Sequence, residues 1–101
     1  MERDDNYIIE VDSEHAGIVG IIENEDSIII GPLYLFKQHQ SKGVGTKIIS
    51  DIIIKSPSKD IKLGVLKVNN RARKLYEKLG FEVYGEENSH WQMRLKKSNG
   101  V

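Results

Sequence analysis

The stretch QHQSKGVGTKII, residues 38–49, marks the point where the sequence changes from strand-like to helix-like character. Its two glycines, Gly43 and Gly45, stand where a helix has to begin, although glycine in a helix interior costs roughly 0.5–1 kcal/mol relative to alanine. A flexible loop would explain both glycines. A backbone that must come close to a ligand would explain them as well, and the surrounding sequence bears on the choice.

The apolar residues in and after this stretch have helical spacing. Val44, Ile48 and Ile52 recur at i, i+4 and i+8, which favours a helix even though isoleucine is common in strands. The segment SPSKD, residues 56–60, ends this helix because the residue before a proline avoids the helical region.

Three strand-like runs precede the glycines: YIIEVD (7–12), AGIVGII (16–22) and SIIIGPLYLF (27–36). The charged, turn-prone spacers between them are short, which predicts antiparallel hairpins. Gly31 and Pro32 fall in the middle of the third run. Because proline cannot donate to a strand ladder, we predict a bulge or kink there.

Two further elements follow the first helix. The run IKLGVL (61–66) predicts a strand parallel to the third one, joined to it by a right-handed crossover. The segment NNRARKLYEKLGF (69–81) predicts a second helix, with Asn69 or Asn70 able to cap its start and Gly80 suited to its end. Its apolar residues recur at i, i+3, i+4 and i+7: Ala72, Leu75, Tyr76 and Leu79.

A final hairpin is predicted from FEVYGE (81–86) and HWQMRL (90–95). The order β-β-β-α-β-α-β-β indicates an α+β (mixed α/β) fold around one mixed, mostly antiparallel sheet. We expect a single domain over residues 1–101, with a core of about 7–96 and a frayed tail at 97–101.

The composition excludes several classes of function. Lys plus Arg equals Asp plus Glu at 15 each, and the basic residues are scattered, which argues against nucleic acid as a partner. No apolar stretch approaches the ~18 residues of a membrane span, and the polar start is unlike a secretory signal. The absence of cysteine suits a reducing, cytoplasmic compartment and excludes thiolate chemistry. No metal is expected, since the histidines lie far apart in sequence: His15, His39 and His90.

The glycines lie at a predicted strand-to-helix junction, where unpaired N–H groups and the positive end of the helix dipole converge. A phosphate can bind there if no side chain stands in the way. A dinucleotide fingerprint would need a small residue in place of Ile48, and a P-loop would need the lysine before the threonine. The stretch therefore predicts a phosphate-binding loop of another kind.

Two motifs resemble one known family. QSKGVG (40–45) resembles the Q/R-x-x-G-x-G/A signature of the GCN5-related N-acetyltransferases, and NNRARKLYEKLGF (69–81) resembles their N-x-x-A-x-x-L-Y-x-x-x-G-F stretch. The two motifs occur in the family's order, one strand apart. The resemblance covers about residues 7–96.

The resemblance implies that acetyl-CoA is the co-substrate and lies between two splayed parallel strands. The backbone of Leu33, Tyr34 and Leu35 would line its pantetheine arm, and an N–H there would hydrogen-bond the thioester carbonyl and stabilise the oxyanion that develops. The pyrophosphate loop would comprise the Gln40 side chain and the backbone of Ser41, Lys42, Gly43, Val44, Gly45 and Thr46.

Three of the implied roles have ordinary alternatives. Lys42 would contact a phosphate or simply be solvated, and Asn69 would contact the pantetheine or simply cap the helix. Tyr76 matches the tyrosine that donates a proton to the departing CoA thiolate, but a core tyrosine on an apolar helix face has the same spacing.

The chain departs from the family pattern at the general base. Many members carry a glutamate where this sequence has Gly64, so deprotonation of the amine would fall to water or to another residue. Four side chains are weak candidates, and one of them, His39, is expected to be an exposed polar residue. The candidates are Glu10, Glu23, Tyr34 and His39.

The sequence also starts at about the family's second strand. From this we expect either a small, loosely held acceptor or a homodimer in which a second copy completes the acceptor side. The leading interpretation is an N-acetyltransferase that acts by direct attack on a small-molecule or peptide amine. The alternatives are a CoA-binding module with little catalysis and an interaction protein that keeps only the fold.

Overall fold

The computed structural model of the protein describes residues 3–97. A single 3-10 turn, Lys37–His39, lies between the third strand and the first helix. In chain order the other elements are β1 (Arg3–Val11), β2 (Glu14–Glu23), β3 (Ser27–Leu35), α1 (Val44–Lys55), β4 (Asp60–Leu66), α2 (Asn70–Lys78), β5 (Glu82–Glu87) and β6 (His90–Leu95).

The six strands form one mixed sheet in the order β1-β2-β3-β4-β6-β5. β1, β2 and β3 pair antiparallel, as the short spacers predicted, and β3 pairs parallel with β4 across the helical connection. β4, β6 and β5 are antiparallel. The α+β class and the element order predicted from the sequence are therefore confirmed.

The bulge predicted in β3 is present. In the β2–β3 ladder, Val19 pairs with Leu33 and Ile21 pairs with Ile30. Two β3 residues, Gly31 and Pro32, therefore lie opposite one β2 residue, Gly20. A bulge of this kind bends the strand that carries it. β3 therefore changes direction halfway along its length.

The bend separates the two parallel strands. β3 pairs with β4 only from Ser27 to Ile30, before the bulge, whereas β4 continues to pair with β6 as far as Leu66. After the bulge β3 remains paired with β2 alone. One edge of Leu33–Leu35 is therefore left outside any strand ladder, and it faces the gap that opens between β3 and β4.

Gly17 allows the second half of β3 to approach β2 closely. A Cβ at this position would lie 1.9 Å from the backbone oxygen of Tyr34, a distance that no side chain could occupy. The contact continues past the end of β3, where the Phe36 N–H donates to Ala16 O at 2.8 Å.

Both helices pack on the same face of the sheet. Ile61, Leu63 and Val65 of β4 are buried on this face, and Ile49 of α1 and Tyr76 of α2 pack against the same cluster. The opposite face is open within the described residues. The register places Ile8, Ile18 and Tyr34 side by side there, and about half of each side chain is exposed.

Some sequence-based expectations differ from the structure. β1 begins at Arg3 rather than at residue 7, because the ladder with β2 continues through polar residues. Lys97, assigned to a frayed tail, donates its backbone N–H to Asp60 Oδ1 at 2.7 Å. The rest of that tail, residues 98–101, lies outside the described residues, as do residues 1–2.

The expectation that His39 is exposed is wrong. Its residue exposure is 8%, and its Nε2 lies 3.3 Å from Glu14 Oε1 at the start of β2. The 3-10 turn directs the ring towards β2, so a residue 25 positions away provides its partner. Between residues 3 and 97, no helix is long and apolar enough to cross a membrane.

Candidate functional site

A cleft lies where β3 and β4 separate, and it has two adjoining cavities of about 650 and 520 Å³. The larger one lies between the start of α1 and the flank of α2, and the smaller one lies in the strand gap itself. Five residues line both cavities: Leu33, Ile49, Asn69, Ala72 and Tyr76.

The cleft brings together most of the residues that the sequence predicted for a site. Three predicted residues do not line it: Tyr34, Gln40 and Lys42. Those that do line it come from β3, the glycine loop, the cap of α2 and α2 itself: Leu33, Leu35, Ser41, Gly43, Val44, Gly45, Thr46, Asn69 and Tyr76.

The glycine loop presents a helix N-terminus without side chains. Gly43 is the N-cap of α1 in the left-handed region, at φ 80°, and no side chain caps this end. Its carbonyl accepts from Lys47 N–H at 3.0 Å, so the N–H groups of Val44, Gly45 and Thr46 precede the first helical hydrogen bond. These donors and the helix dipole together favour an anion.

Glycine is required at position 43 by its backbone conformation, because a φ of 80° is costly for residues with a side chain. A Cβ there would meet no atom within 4 Å, so the space in front of the loop is open. Gly45 is different, since a Cβ would lie 3.5 Å from Leu33 Cδ2, an ordinary contact distance. The open space and the free donors fit a phosphate group.

Gln40 does not point into the cleft. Its Nε2 donates to the backbone oxygen of Leu35 at 3.0 Å, which ties the loop back to the end of β3. Lys42 is exposed and lies outside the cleft lining. The side chain of Tyr34 is 60% exposed on the open face, with its ring edge-on to Phe36 at 5.9 Å.

Asn69 caps α2 and lines the cleft at the same time. Its Oδ1 accepts from Ala72 N–H at 3.1 Å, which satisfies one of the free donors at the helix start. The amide nitrogen of Asn69 donates no hydrogen bond within residues 3–97 and is free to act as a donor. The two roles that the sequence left open are therefore compatible.

Tyr76 lies at the junction of the two cavities. Its ring is tilted by 60° against Phe81 at a centroid distance of 6.0 Å. Burial raises the pKa of the Tyr76 phenol above its ordinary value of 10.0. The hydroxyl therefore keeps its proton at neutral pH and can donate it within the cleft.

The rim of the larger cavity on α2 is positively charged. Arg71, Lys74 and Lys78 line it, and none of them forms an ion pair with another described residue. Arg73, on another face of the helix, pairs with Glu77 at 3.6 Å and lies 5.0 Å from the Trp91 ring. The charge on the cleft side is therefore not neutralised by an ion pair within residues 3–97.

The sequence did not indicate every residue of the cleft, since the basic rim of α2 and His90 were not assigned to it. His90 lines the smaller cavity, where a Cβ on Gly64 would lie 3.8 Å from its Cδ2. Alternation along HWQMRL places His90 and Gln92 on one face, but only the β4–β6 pairing brings them to Gly64.

The weak candidates for a general base lie elsewhere. Glu23 Oε2 binds Lys59 Nζ at 2.7 Å, Glu10 lies 3.9 Å from His15, and neither these nor His39 line the cleft. Among residues 3–97 there is no group of three or more potential metal-ligating side chains.

A family model described as "Acetyltransferase (GNAT) domain" matches residues 2–83 of the chain. No curated protein matches it significantly. Among solved structures, the PaiA N-acetyltransferase from Thermoplasma acidophilum in complex with coenzyme A has a TM-score of 0.71 and 23% identity. That alignment covers 86% of this chain but only 57% of the other, so this chain spans less than two thirds of that protein.

Two further structures have the same fold. A GNAT family acetyltransferase from Elizabethkingia anophelis with acetyl-CoA bound has a TM-score of 0.77 at 18% identity, covering 92% of this chain and 76% of the other. The ribosomal-protein-S18-alanine N-acetyltransferase from Escherichia coli has a TM-score of 0.80 at 21% identity, covering 95% and 70%. At these identities the similarity shows the fold.

Proposed function

This chain belongs to the GNAT acetyltransferase family, and on that premise we propose that it moves the acetyl group of acetyl-CoA to a primary amine by direct attack. One observation carries the proposal: the uncapped start of α1 and the Tyr76 phenol line the same cleft. Such a cleft suits a ligand with an anionic part and a reactive thioester. Two of the similar structures hold CoA or acetyl-CoA.

The start of α1 binds the pyrophosphate of acetyl-CoA in this proposal. The N–H groups of Val44, Gly45 and Thr46 donate to phosphate oxygens, and Ser41 and Gly43 complete the loop. Arg71, Lys74 and Lys78 supply positive charge from the opposite wall. Gln40 acts indirectly, because its hydrogen bond to Leu35 holds the loop in place.

The unpaired edge of β3 binds the pantetheine arm. The parallel ladder stops at Ile30, so one edge of Leu33–Leu35 is not paired with β4, although Leu35 O on the chain already accepts from Gln40 Nε2. An N–H from this edge would hydrogen-bond the thioester carbonyl and stabilise negative charge on its oxygen. Asn69 offers a further donor from the start of α2.

Tyr76 acts as the proton donor to the leaving group. The acetyl group of acetyl-CoA is carried as a thioester, and the departing thiolate leaves more easily when a proton is supplied. The pKa of Tyr76 lies above the ordinary value of 10.0 because the phenol is buried, so its hydroxyl carries a proton at neutral pH that can pass to the sulfur.

A CoA-binding module with little catalysis is the second candidate. One observation favours it: no aspartate or glutamate lines either cavity, and position 64 is a glycine. In this alternative the cleft binds acetyl-CoA, but no carboxylate accepts a proton from the amine.

Calorimetric titration of acetyl-CoA into the purified chain tests the proposal first, with ATP as the comparator. We expect saturable binding of acetyl-CoA that is much tighter than that of ATP. A colorimetric assay of CoA thiol release, run against polyamines, amino acids, aminoglycosides and peptides, then tests for transfer. Binding without release for any amine supports the second candidate, and no binding at millimolar acetyl-CoA contradicts both.

The acceptor class in this proposal is a small-molecule or peptide amine. The homodimer expected from the sequence stays a prediction, and light scattering during the activity assay measures it. A mass of one chain with full activity would contradict a dimer.

A further inference from the structure

The smaller cavity joins the two faces of the sheet. Tyr76 reaches it from the helix-covered face, whereas His90 reaches it from the face that carries Gly64 and Leu66. Both Gly64 and Leu66 are exposed, so this second entrance is open within residues 3–97. An amine entering here would meet the imidazole on the side of the cavity opposite Tyr76.

The orientation of the His90 ring suits a proton acceptor. Its Nδ1 lies 3.3 Å from Ser89 Oγ, which can hold the tautomer that carries the proton on Nδ1. Its Cδ2, which is bonded to Nε2, would lie 3.8 Å from a Cβ at Gly64. With the proton on Nδ1, the lone pair of Nε2 is free to accept a proton from an amine in the cavity that His90 lines.

We propose that His90 is the general base of this enzyme and takes a proton from the acceptor amine through Nε2. The inference rests on the proposed function, because it assigns a residue to that reaction. It also removes the main support for a catalytically weak module, since an imidazole replaces the missing carboxylate beside Gly64. Histidine is the side chain that most often serves in this role.

The proton balance of the reaction is complete with these two residues. An amine in its ammonium form has no lone pair, so Nε2 of His90 first accepts one proton and later releases it to water. The amine nitrogen then forms the C–N bond as the C–S bond breaks. The sulfur takes a proton from the Tyr76 hydroxyl, and Tyr76 is reprotonated as the second amine proton leaves.

Few charged groups face His90. Its cross-strand neighbour on β5 is Glu87, and its neighbour on β4 is the uncharged Leu66. Tyr76 of α2 lines the same cavity.

The test compares two amines that differ in their need for a base. At neutral pH n-butylamine is protonated, whereas hydroxylamine is uncharged, and CoA thiol release reports transfer to either. We expect His90→Gln to lower kcat/KM for n-butylamine by about 100-fold and to change that for hydroxylamine far less. His15→Gln is the matched control, because His15 is exposed on β2 and lies outside the cleft.

A second variant keeps the test independent of any folding defect. Adding Gly64→Glu to the His90→Gln variant should raise kcat/KM for n-butylamine at least tenfold. The new side chain has room, since a Cβ at position 64 has no neighbour closer than 3.8 Å. If His90→Gln lowers kcat/KM equally for the two amines, or for neither of them, the role of His90 as a general base is overturned. If the native protein binds acetyl-CoA but transfers to neither amine nor to any amine of the acceptor screen, the proposed function fails, and the role of His90 fails with it.

Discussion

The two helices begin in opposite ways. At the start of α2, the Asn69 side chain accepts from Ala72 N–H and closes the helix end, as stabilising caps do. At the start of α1, Gly43 provides no side chain, and the first N–H groups remain open towards the cleft. At the start of α2 a backbone N–H is hydrogen-bonded to a side chain of the same helix cap, whereas at the start of α1 the first N–H groups remain available for an anion. The start of α2 therefore contributes a stabilising cap, whereas the start of α1 is the end to which the proposed function assigns the pyrophosphate.

The largest effect is expected from placing a side chain of the wrong charge at the open terminus. Gly43→Asp adds a carboxylate at a left-handed position that Asp and Asn tolerate better than most residues. We expect acetyl-CoA affinity to fall by about 100-fold or more in calorimetry, because the carboxylate takes the place of the phosphate and repels it. Gly43→Asn is the control of equal shape, and equal affinities for the two variants would contradict the anion site.

On the α2 side of the cleft, the Tyr76 side chain is expected to affect turnover rather than acetyl-CoA binding. Tyr76→Phe removes only the hydroxyl, so acetyl-CoA affinity should be kept while kcat falls by about 100-fold. Tyr84→Phe is the matched control, since Tyr84 lies outside the cleft beside Arg94. Full turnover of Tyr76→Phe would remove Tyr76 as the proton donor and leave it as a packing residue against Phe81.

The cationic rim of α2 should contribute less than the start of α1. In Lys74→Ala/Lys78→Ala we expect roughly tenfold weaker binding of acetyl-CoA at low salt, and a smaller difference as salt screens the exposed charges. Lys55→Ala removes an exposed lysine outside the cleft and should change nothing. A loss that does not depend on salt would show that the lysines act by shape rather than by charge.

The closed terminus should matter mainly for stability. Asn69→Ala removes the acceptor for Ala72 N–H and is expected to lower the free energy of unfolding by about 1 kcal/mol, measured by urea denaturation. Asn69→Asp keeps an oxygen at this position and should retain most of that stability. If both variants are as stable as the native chain, the cap does not contribute to folding.

The smallest effect is expected at alkaline pH. Because the pKa of Tyr76 is raised in the folded state, the unfolded chain loses this proton first as the pH rises above about 10. The free energy of unfolding should therefore decrease from pH 10 up to the raised pKa of Tyr76. Urea denaturation should show a shallower decrease for Tyr76→Phe, and parallel curves for the two proteins would contradict the shift.

Much of the fold follows from local patterns. The i, i+4 spacing of α1 and α2, the Asn69 cap and the break at Gly31–Pro32 each depend on residues close in sequence, and the structure contains all of them. The same local chemistry predicts a phosphate at the glycine loop, and the uncapped helix start that this prediction needs is present at Gly43.

Other features depend on which partner a side chain meets in the folded chain. Gln40 was assigned to a phosphate, but Leu35 O at the end of β3 takes its side-chain hydrogen bond. His39 was expected in solvent, but Glu14 and the packing of the 3-10 turn bury it. Hydrogen-bonding capacity can be read from a sequence, whereas the partner that uses it depends on the tertiary arrangement.

Local sequence patterns specify the order of the elements, the bulge in β3, the open start of α1 and the presence of Tyr76 on an amphipathic helix. Pairing between distant segments places β6 beside β4, which brings His90 to Gly64, and ends the β3–β4 ladder at Ile30. Periodicity and capping are local interactions that act within a few residues. Strand order depends on pairing between segments far apart in the chain, and no local pattern specifies it.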